Sequence, residues 1–119
     1  VHKPIQDRRS IAAAILPALR GIVSSNRRVI AHYADNDDAL TFAGSKWAQE
    51  LGYLGTSCPD HFLRTRICPM FVDWKPGEES IDVLKALIEE RAIQYRNEYG
   101  KYYEAHATRD SPRLRDSNP

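Results

Sequence analysis

The segment Pro59–Arg66 holds the densest group of chemically active side chains in the sequence. An acid, an imidazole and two guanidinium groups fall close together there: Asp60, His61, Arg64 and Arg66. A helix start and guanidinium groups together can bind a phosphate or a carboxylate. These four residues are therefore the candidate anion-binding residues of the chain.

Ion pairing inside the same loop is the structural alternative, and we favour it. Arg64 and Arg66 could pair with Asp60 or Asp73 and so anchor a rigid loop without any ligand, because structural ion pairs also concentrate charge at such places. Asp60 is equally well explained as the cap of a short helix that begins near Pro59. The spacing of the residues does not separate the two interpretations.

Nucleophilic catalysis is a weaker interpretation of this region. Ser57 and Cys58 precede His61, but adjacency in sequence is not the geometry that a nucleophile, its base and an orienting acid require. The motifs GxSxG, GxGxxG and GxxxxGK[ST] are absent from the sequence. We therefore predict no catalytic residue and no dinucleotide site in this chain.

The histidines are spaced too widely to form a metal-binding pair. They stand at His2, His32, His61 and His106, and no two of them are two or four positions apart. A divalent site would have to assemble from distant residues, and nothing in the spacing indicates one. We predict no metal site and no cofactor within this sequence.

Length, charge and hydropathy narrow the class of protein. The chain has 119 residues, which fits one domain, and a net charge of only +1, which argues against nucleic acid or an anionic membrane as the partner. The mean hydropathy is −0.54, and no apolar run approaches the roughly 18 residues that a membrane-spanning helix needs. Cys58 and Cys68 do not form a CxxC pair, so we expect free thiols in a reducing compartment and a soluble, cytoplasmic protein.

The elements that must position these residues are mostly helical. Apolar residues recur at helical spacing from Ile11 to Ile22, interrupted by Pro17, and again from Ala39 to Leu51. Short β-branched and aromatic runs predict two strands, at Arg28–Tyr33 and Pro69–Asp73. The expected fold is a helix-dominated α/β domain, with α+β possible, of three main helices and two short strands. We expect Trp47 and Phe71 in its core.

The longest predicted element is an amphipathic helix from Glu79 or Ser80 to about Ala105. Its apolar face consists of Val83, Leu84, Leu87, Ile88, Ala92, Tyr95, Tyr99, Tyr102 and Tyr103. Tyrosine combines an apolar ring with a polar tip, so the aromatic half of this helix could form an interdomain or oligomer surface. Residues 108–119 are polar and are expected to form an extended tail. Residues 1–119 are predicted to be one domain or a fragment of one, because the chain starts at Val1 and stops in a turn-like run.

Several stretches of the sequence resemble one enzyme family in order along the chain. They are Ala18–Gly21, Arg28–Tyr33, Leu54–Thr65, Pro69–Trp74, Asp110–Pro112 and Leu114–Pro119, and the run from Cys58 to Thr65 is the most specific. The resemblance is to the middle region of bacterial bifunctional rhamnulose-1-phosphate aldolase/short-chain alcohol dehydrogenases. In that family a class II aldolase/adducin-type domain precedes the region and a Rossmann domain follows it.

The resemblance implies a parent protein of rhamnose degradation that uses a divalent metal, zinc, for aldol cleavage and NAD for the oxidoreductase step. The family's metal histidines and its Tyr-x-x-x-Lys motif do not fall within this sequence. The resemblance therefore implies a connecting segment whose partners are the flanking aldolase and dehydrogenase domains, with a phosphosugar contact through Arg64 and Arg66 as a further possibility. A homo-oligomer built on the aromatic helix is the alternative of a different class.

Overall fold

The structure is a computed structural model. It describes residues 7–25 and 27–119, except for the side chains of Phe62 and Leu63. This part of the chain folds into five helices: α1 (Arg8–Val23), α2 (Asp37–Ala43), α3 (Ala48–Tyr53), α4 (Pro59–Arg64) and α5 (Ile81–His106). The predicted helix-dominated fold with a long C-terminal helix is confirmed. Irregular segments connect the helices.

The core lies between α1 and α5, which pack against each other. Its buried side chains come from one face of α5 and from α1: Leu84, Ile88, Ala92, Tyr95 and Ala12. The four residues of α5 recur every three or four positions, as one face of a helix requires. Two of the five are alanines, and no large side chain in the described residues is fully buried. Polar contacts outside this core therefore have a large share in fixing the other segments.

Helix α5 runs along most of the molecule. Its 26 residues correspond to a length of about 39 Å, and the molecule measures 50 × 28 × 22 Å. The hydroxyl oxygen of Ser80 accepts a hydrogen bond from the backbone of Val83, which caps the helix where the sequence predicted its start. None of the helices in residues 7–25 and 27–119 is long and apolar enough to cross a bilayer.

Helix α1 continues through Pro17, where the sequence predicted a kink or a second start. Asp7 caps the helix by accepting a hydrogen bond from the backbone of Ser10 at 3.3 Å. Pro17 lacks an N–H group and leaves the carbonyl of Ala13 without its helical donor. Both residues lie on the exposed side of α1, so water can serve that carbonyl and the helix need not break.

The single helix predicted over Ala39–Leu51 is two short helices instead. Gly44 ends α2 by donating its backbone N–H to Leu40, and the side chain of Ser45 accepts from the backbone of Trp47 before α3 begins. Gly44 thus ends one helix, and Ser45 leads into the next. Trp47 is 52% exposed, so its assignment to the core is wrong, while Phe71 is half-buried.

The two predicted strands form no β-ladder. Residues 28–33 and 69–73 are irregular, and the β-bridge of the described residues joins Pro76 and Glu79 elsewhere. In the second segment the backbone carbonyl of Phe71 accepts from Arg91 of α5 at 3.1 Å. The carbonyl of Cys68, just before it, accepts from the hydroxyl of Tyr95 at 2.8 Å. Side chains of α5 thus donate the hydrogen bonds that a neighbouring strand would otherwise supply.

Candidate functional site

Three of the four predicted anion-binding residues lie on the short helix α4. Asp60, His61 and Arg64 are all exposed there. The helix is capped at Cys58, with Asp60 in its first turn, so the interpretation of Asp60 as the cap is wrong. Arg66 follows α4, is half-buried, and directs its guanidinium group to the C-terminal tail. Anion binding by these four residues stays a prediction, and Arg66 is already engaged within the chain.

The guanidinium group of Arg66 makes three kinds of contact. Its Nε donates to the backbone carbonyl of Asn118 at 2.9 Å, and Nη2 donates to that of Asp116 at 3.2 Å. The carboxylate of Asp116 lies 3.7 Å from the same nitrogen. The ring of Tyr99 on α5 lies 4.7 Å from the guanidinium carbon, a cation–π distance. Arg66 therefore links the segment after α4 to the tail and to α5.

Asn118 is the buried centre of this group, with 5% of its surface exposed. Its Oδ1 accepts from Nε of Arg96 at 2.7 Å. Its Nδ2 donates to the carbonyl of Val23, to the hydroxyl of Ser25 and to the carboxylate of Asp116. A buried amide loses hydration that only such partners replace. One side chain thus joins the end of α1, the middle of α5 and the tail.

Arg96 completes the arrangement from α5. Its Nη2 donates to the carbonyl of Ile22, in the last turn of α1, while its Nε holds Asn118. A cation at the carboxyl end of α1 also interacts favourably with the helix dipole. We call the group of Arg66, Arg96, Asp116 and Asn118 the Asn118 junction. It is held to α1 by three contacts with the chain between Ile22 and Ser25.

A second contact holds the tail nearer its start. The hydroxyl of Tyr103 on α5 donates to the backbone carbonyl of Pro112. Before it, Thr108 and Ser111 form a turn closed by a backbone bond of 3.0 Å. The tail of residues 108–119 has no helix or strand, and it is fastened to α5 at two places.

Tyr95 and Cys68 form a less polar layer beside the junction. Tyr95 is buried, donates to the carbonyl of Cys68 and stacks on Tyr99 with ring centroids 6.5 Å apart. Burial raises the pKa of Tyr95 to about 12. Burial also raises the pKa of the Cys68 thiol, and the carboxylate of Glu98 adds to the rise. Both groups therefore stay protonated near neutral pH and are poor candidates for a base or a nucleophile.

A concavity of about 340 Å³ opens next to Arg66. It lies between the Gly55–Thr56 turn and residues 65–70, with Pro119 at one side. Gly55 has a φ of +81°, and a Cβ there would lie 2.8 Å from the backbone oxygen of Ile67. A glycine is required at this position for both reasons, and it brings the two walls together.

Metal ligands do not converge in the part of the chain that the structure describes. No three His, Cys, Asp or Glu side chains of that part lie close enough to hold an ion. Cys58 and Cys68 are free thiols. Within the described residues, the chemistry that the arrangement supports is hydrogen bonding and charge pairing between segments.

No pattern in the sequence singled out Arg96, Asp116 and Asn118 as site residues. The run from Asp116 to Asn118 is typical of turns in which a carboxylate accepts from the backbone two residues on, and Asp116 does so at 2.9 Å. That signal could have predicted an ordered turn in the tail. The contact partners lie at Arg66 and Val23, 52 and 95 positions away, and no local pattern indicates them.

The fold and the junction define a small helical domain in which a C-terminal segment is fastened to a two-helix core. Residues 10–119 match the profile described as aldolase class II, second domain. The chain belongs to this family.

A relative in Bacillus subtilis (strain 168) supports the assignment. The chain is 36% identical over 100 residues to a protein named "Uncharacterized oxidoreductase YuxG", and the match covers 84% of this chain. The matched region is 14% of that protein's length, so the chain spans a small part of it. No solved structure matches the chain.

Proposed function

We propose that this domain is a non-catalytic connector within a bifunctional rhamnulose-1-phosphate aldolase and alcohol dehydrogenase of rhamnose degradation. The Asn118 junction is the observation that supports it most. The guanidinium groups of Arg66 and Arg96 form hydrogen bonds with backbone carbonyls and with Asn118. A connector needs such contacts, because a neighbouring domain keeps a fixed orientation only if the chain that leads to it has a fixed position.

The similarities to known proteins support a connector that lies within a longer enzyme. The family is related to class II aldolases, and the Bacillus subtilis relative is named an oxidoreductase and is about seven times as long as the matched region. An aldolase-related domain within a long oxidoreductase is the arrangement that the sequence resemblance implies. The rhamnulose phosphate substrate and the short-chain dehydrogenase partner are the proposed refinements of that arrangement.

In this proposal the zinc and the NAD of the parent protein bind in the flanking domains. The described residues gather no metal-ligand group, and the buried Tyr95 and the half-buried Cys68 both resist ionisation. The domain's own residues orient and hold chain segments. The flanking domains supply the aldol cleavage and the hydride transfer.

The contacts within the chain favour a connector over the two other candidate functions. An oligomer formed by the aromatic helix would need free tyrosines, but Tyr95, Tyr99 and Tyr103 already contact other parts of the chain. A phosphosugar site at Pro59–Arg66 would rely on Arg66, whose guanidinium group is bonded to the tail. Only the exposed part of α4 remains for such a ligand.

The test compares this 119-residue chain with the longer polypeptide in which we propose that it lies. Both are assayed with rhamnulose 1-phosphate and Zn²⁺ for aldol cleavage, and with lactaldehyde and NAD(H) for the redox step. We expect both activities in the longer polypeptide and neither in the chain alone. Turnover by the chain alone would overturn the connector role, and an inactive longer polypeptide would overturn the substrate assignment.

A matched pair of variants tests the role of the junction in the longer polypeptide. Arg96→Ala removes the contact with Asn118, whereas Asn97→Ala changes the next, exposed residue of α5. We expect Arg96→Ala to increase several-fold the rate of limited proteolysis after residue 106, with Asn97→Ala cleaved at the wild-type rate. Equal cleavage of the two variants would show that the junction does not hold the tail.

A further inference from the structure

Helix α3 has its large apolar side chains on the outside. Trp47, Leu51 and Leu54 are 52%, 47% and 77% exposed, and they follow one another by four and three positions. The backbone of Leu51 donates to Trp47 at 2.8 Å, and that of Leu54 donates to Glu50 at 3.3 Å, so the helical geometry extends over all three. They therefore form one stripe on one face of the helix. We call these three residues the α3 stripe.

Small residues on the other side of α3 fix this orientation. Ala48 and Gly52 are buried, and a Cβ at Gly52 would lie 3.3 Å from the ring of Pro69. Tyr53, next to them, accepts a hydrogen bond at its hydroxyl from Arg91 of α5 at 2.9 Å. Turning the helix to bury the stripe would push large side chains into a space that only alanine and glycine fill. The outward position of the α3 stripe is thus built into the packing.

The α3 stripe groups three exposed apolar side chains on one helix face. Single exposed apolar residues are ordinary, but contiguous exposed apolar side chains often mark an interaction surface. The charged end of Lys46 lies 4.9 Å from the ring of Trp47, at one end of the row. An apolar centre with a charge at its edge is a common arrangement at protein interfaces.

We propose that the α3 stripe is a docking surface for a neighbouring domain of the same polypeptide, an inference that rests on the proposed connector function. Three side chains on two helical turns expose on the order of a few hundred Å², well below the ~800 Å² that each partner buries in a standard interface between separate chains. A domain joined by the same chain needs less area, because the linkage raises its effective concentration. The relative of which this chain spans only 14% shows that such neighbouring chain exists in the family.

The test measures how accessible the stripe is in the longer polypeptide. Leu51→Cys and, separately, Ile93→Cys are introduced and labelled with a maleimide, and the labelled peptides are followed by mass spectrometry. Leu51 and Ile93 are 47% and 51% exposed in this domain, so without docking the two cysteines should react at similar rates. We expect labelling of Leu51→Cys to be at least tenfold slower than that of Ile93→Cys, at every protein concentration.

Each outcome decides the proposal. Equal labelling at the two positions would overturn it, and protection that disappears on dilution would show that a second copy covers the stripe instead. Leu54→Cys, at a position 77% exposed, gives a second reading if Leu51→Cys does not fold. An unprotected stripe in a polypeptide that is active, while the chain alone is inactive, would reject the docking surface and leave the connector proposal standing.

Discussion

Arg96 and Asn118 meet at 2.7 Å, where Nε of the arginine donates to the side-chain oxygen of the asparagine. The first lies in the middle of α5, and the second is 22 positions further along, in the tail. Asn118 uses the other end of its amide to donate to the end of α1. The contact therefore fixes the tail, which adds no apolar side chain to the core, to the two helices that form the core, and its loss should lower the stability of the domain.

Asn118→Ala should lower the free energy of unfolding by about 1–3 kcal/mol, because it leaves buried partners of the amide without hydrogen bonds. The matched control is Asn97→Ala, at an exposed position of α5, which should change stability by no more than about 0.5 kcal/mol. Urea unfolding followed by circular dichroism measures both. If the two variants cost the same, Asn118 is not the centre of the junction.

Arg66→Lys should destabilise the protein by about 1–2 kcal/mol although it keeps the charge. A lysine cannot donate to the carbonyls of Asp116 and Asn118 with the spacing of a guanidinium fork while lying over the ring of Tyr99. Arg64→Lys, on the exposed side of α4, should be neutral within about 0.5 kcal/mol. Chemical denaturation measures the free energy of unfolding of both variants. If Arg66→Lys is as stable as the wild type, only the charge matters at position 66.

Two glycine-to-alanine substitutions should change the free energy of unfolding in opposite directions. Gly55→Ala should cost about 1–3 kcal/mol, because residue 55 has a φ of +81° and the new Cβ would lie 2.8 Å from the oxygen of Ile67. Gly100→Ala, within α5 and with no atom within 4 Å of its Cβ, should stabilise the protein by about 0.5–1 kcal/mol. Thermal melts of the two variants should move in opposite directions from the wild type, and a shift of the same sign in both would contradict the structure.

The stability of the protein should fall as the pH rises from 10 to 12. Burial raises the pKa of Tyr95 from 10.0 to about 12. The unfolded chain then loses this proton at lower pH than the folded chain, so the stabilisation is complete below pH 10 and declines as the pH rises through 12. The raised pKa of the Cys68 thiol acts with the same sign at somewhat lower pH.

Urea unfolding at a series of pH values measures this dependence against two variants. Tyr95→Phe keeps the ring but cannot ionise, so its stability should fall less steeply above pH 10. Tyr102→Phe, at a more exposed ring of the same helix, should follow the wild type. Parallel curves for Tyr95→Phe and the wild type would show that Tyr95 does not titrate differently on folding.

Local patterns predicted the helices well and the irregular segments poorly. The start of α5 at Ser80 follows from a cap and an apolar repeat, both of which lie within a few residues of one another. The supposed strand at 69–73 has the residue types of a strand, but whether such a run pairs depends on what lies beside it. Here Arg91 and Tyr95 bond the carbonyls of Phe71 and Cys68 and remove the need for a neighbouring strand.

In the candidate site, too, local sequence indicated some residues and the tertiary structure decided their contacts. The residue types at Pro59–Arg66 indicated Arg66 as a possible anion ligand, but the partners of its guanidinium group lie about 50 positions away in the tail. Trp47 was placed in the core because it belongs to the apolar repeat at helical spacing from Ala39 to Leu51. It lies outside because Ala48 and Gly52 take the inner face of the same helix.

The sequence by itself determined the helical character of this protein, the start of its longest helix and the family to which its motifs point, because these depend on residues close together along the chain. Only the tertiary structure decided that Asn118 joins α1, α5 and the tail, and that the α3 stripe faces outward. Those features depend on which side of each helix meets its neighbour, and that is set by packing between residues far apart in the sequence.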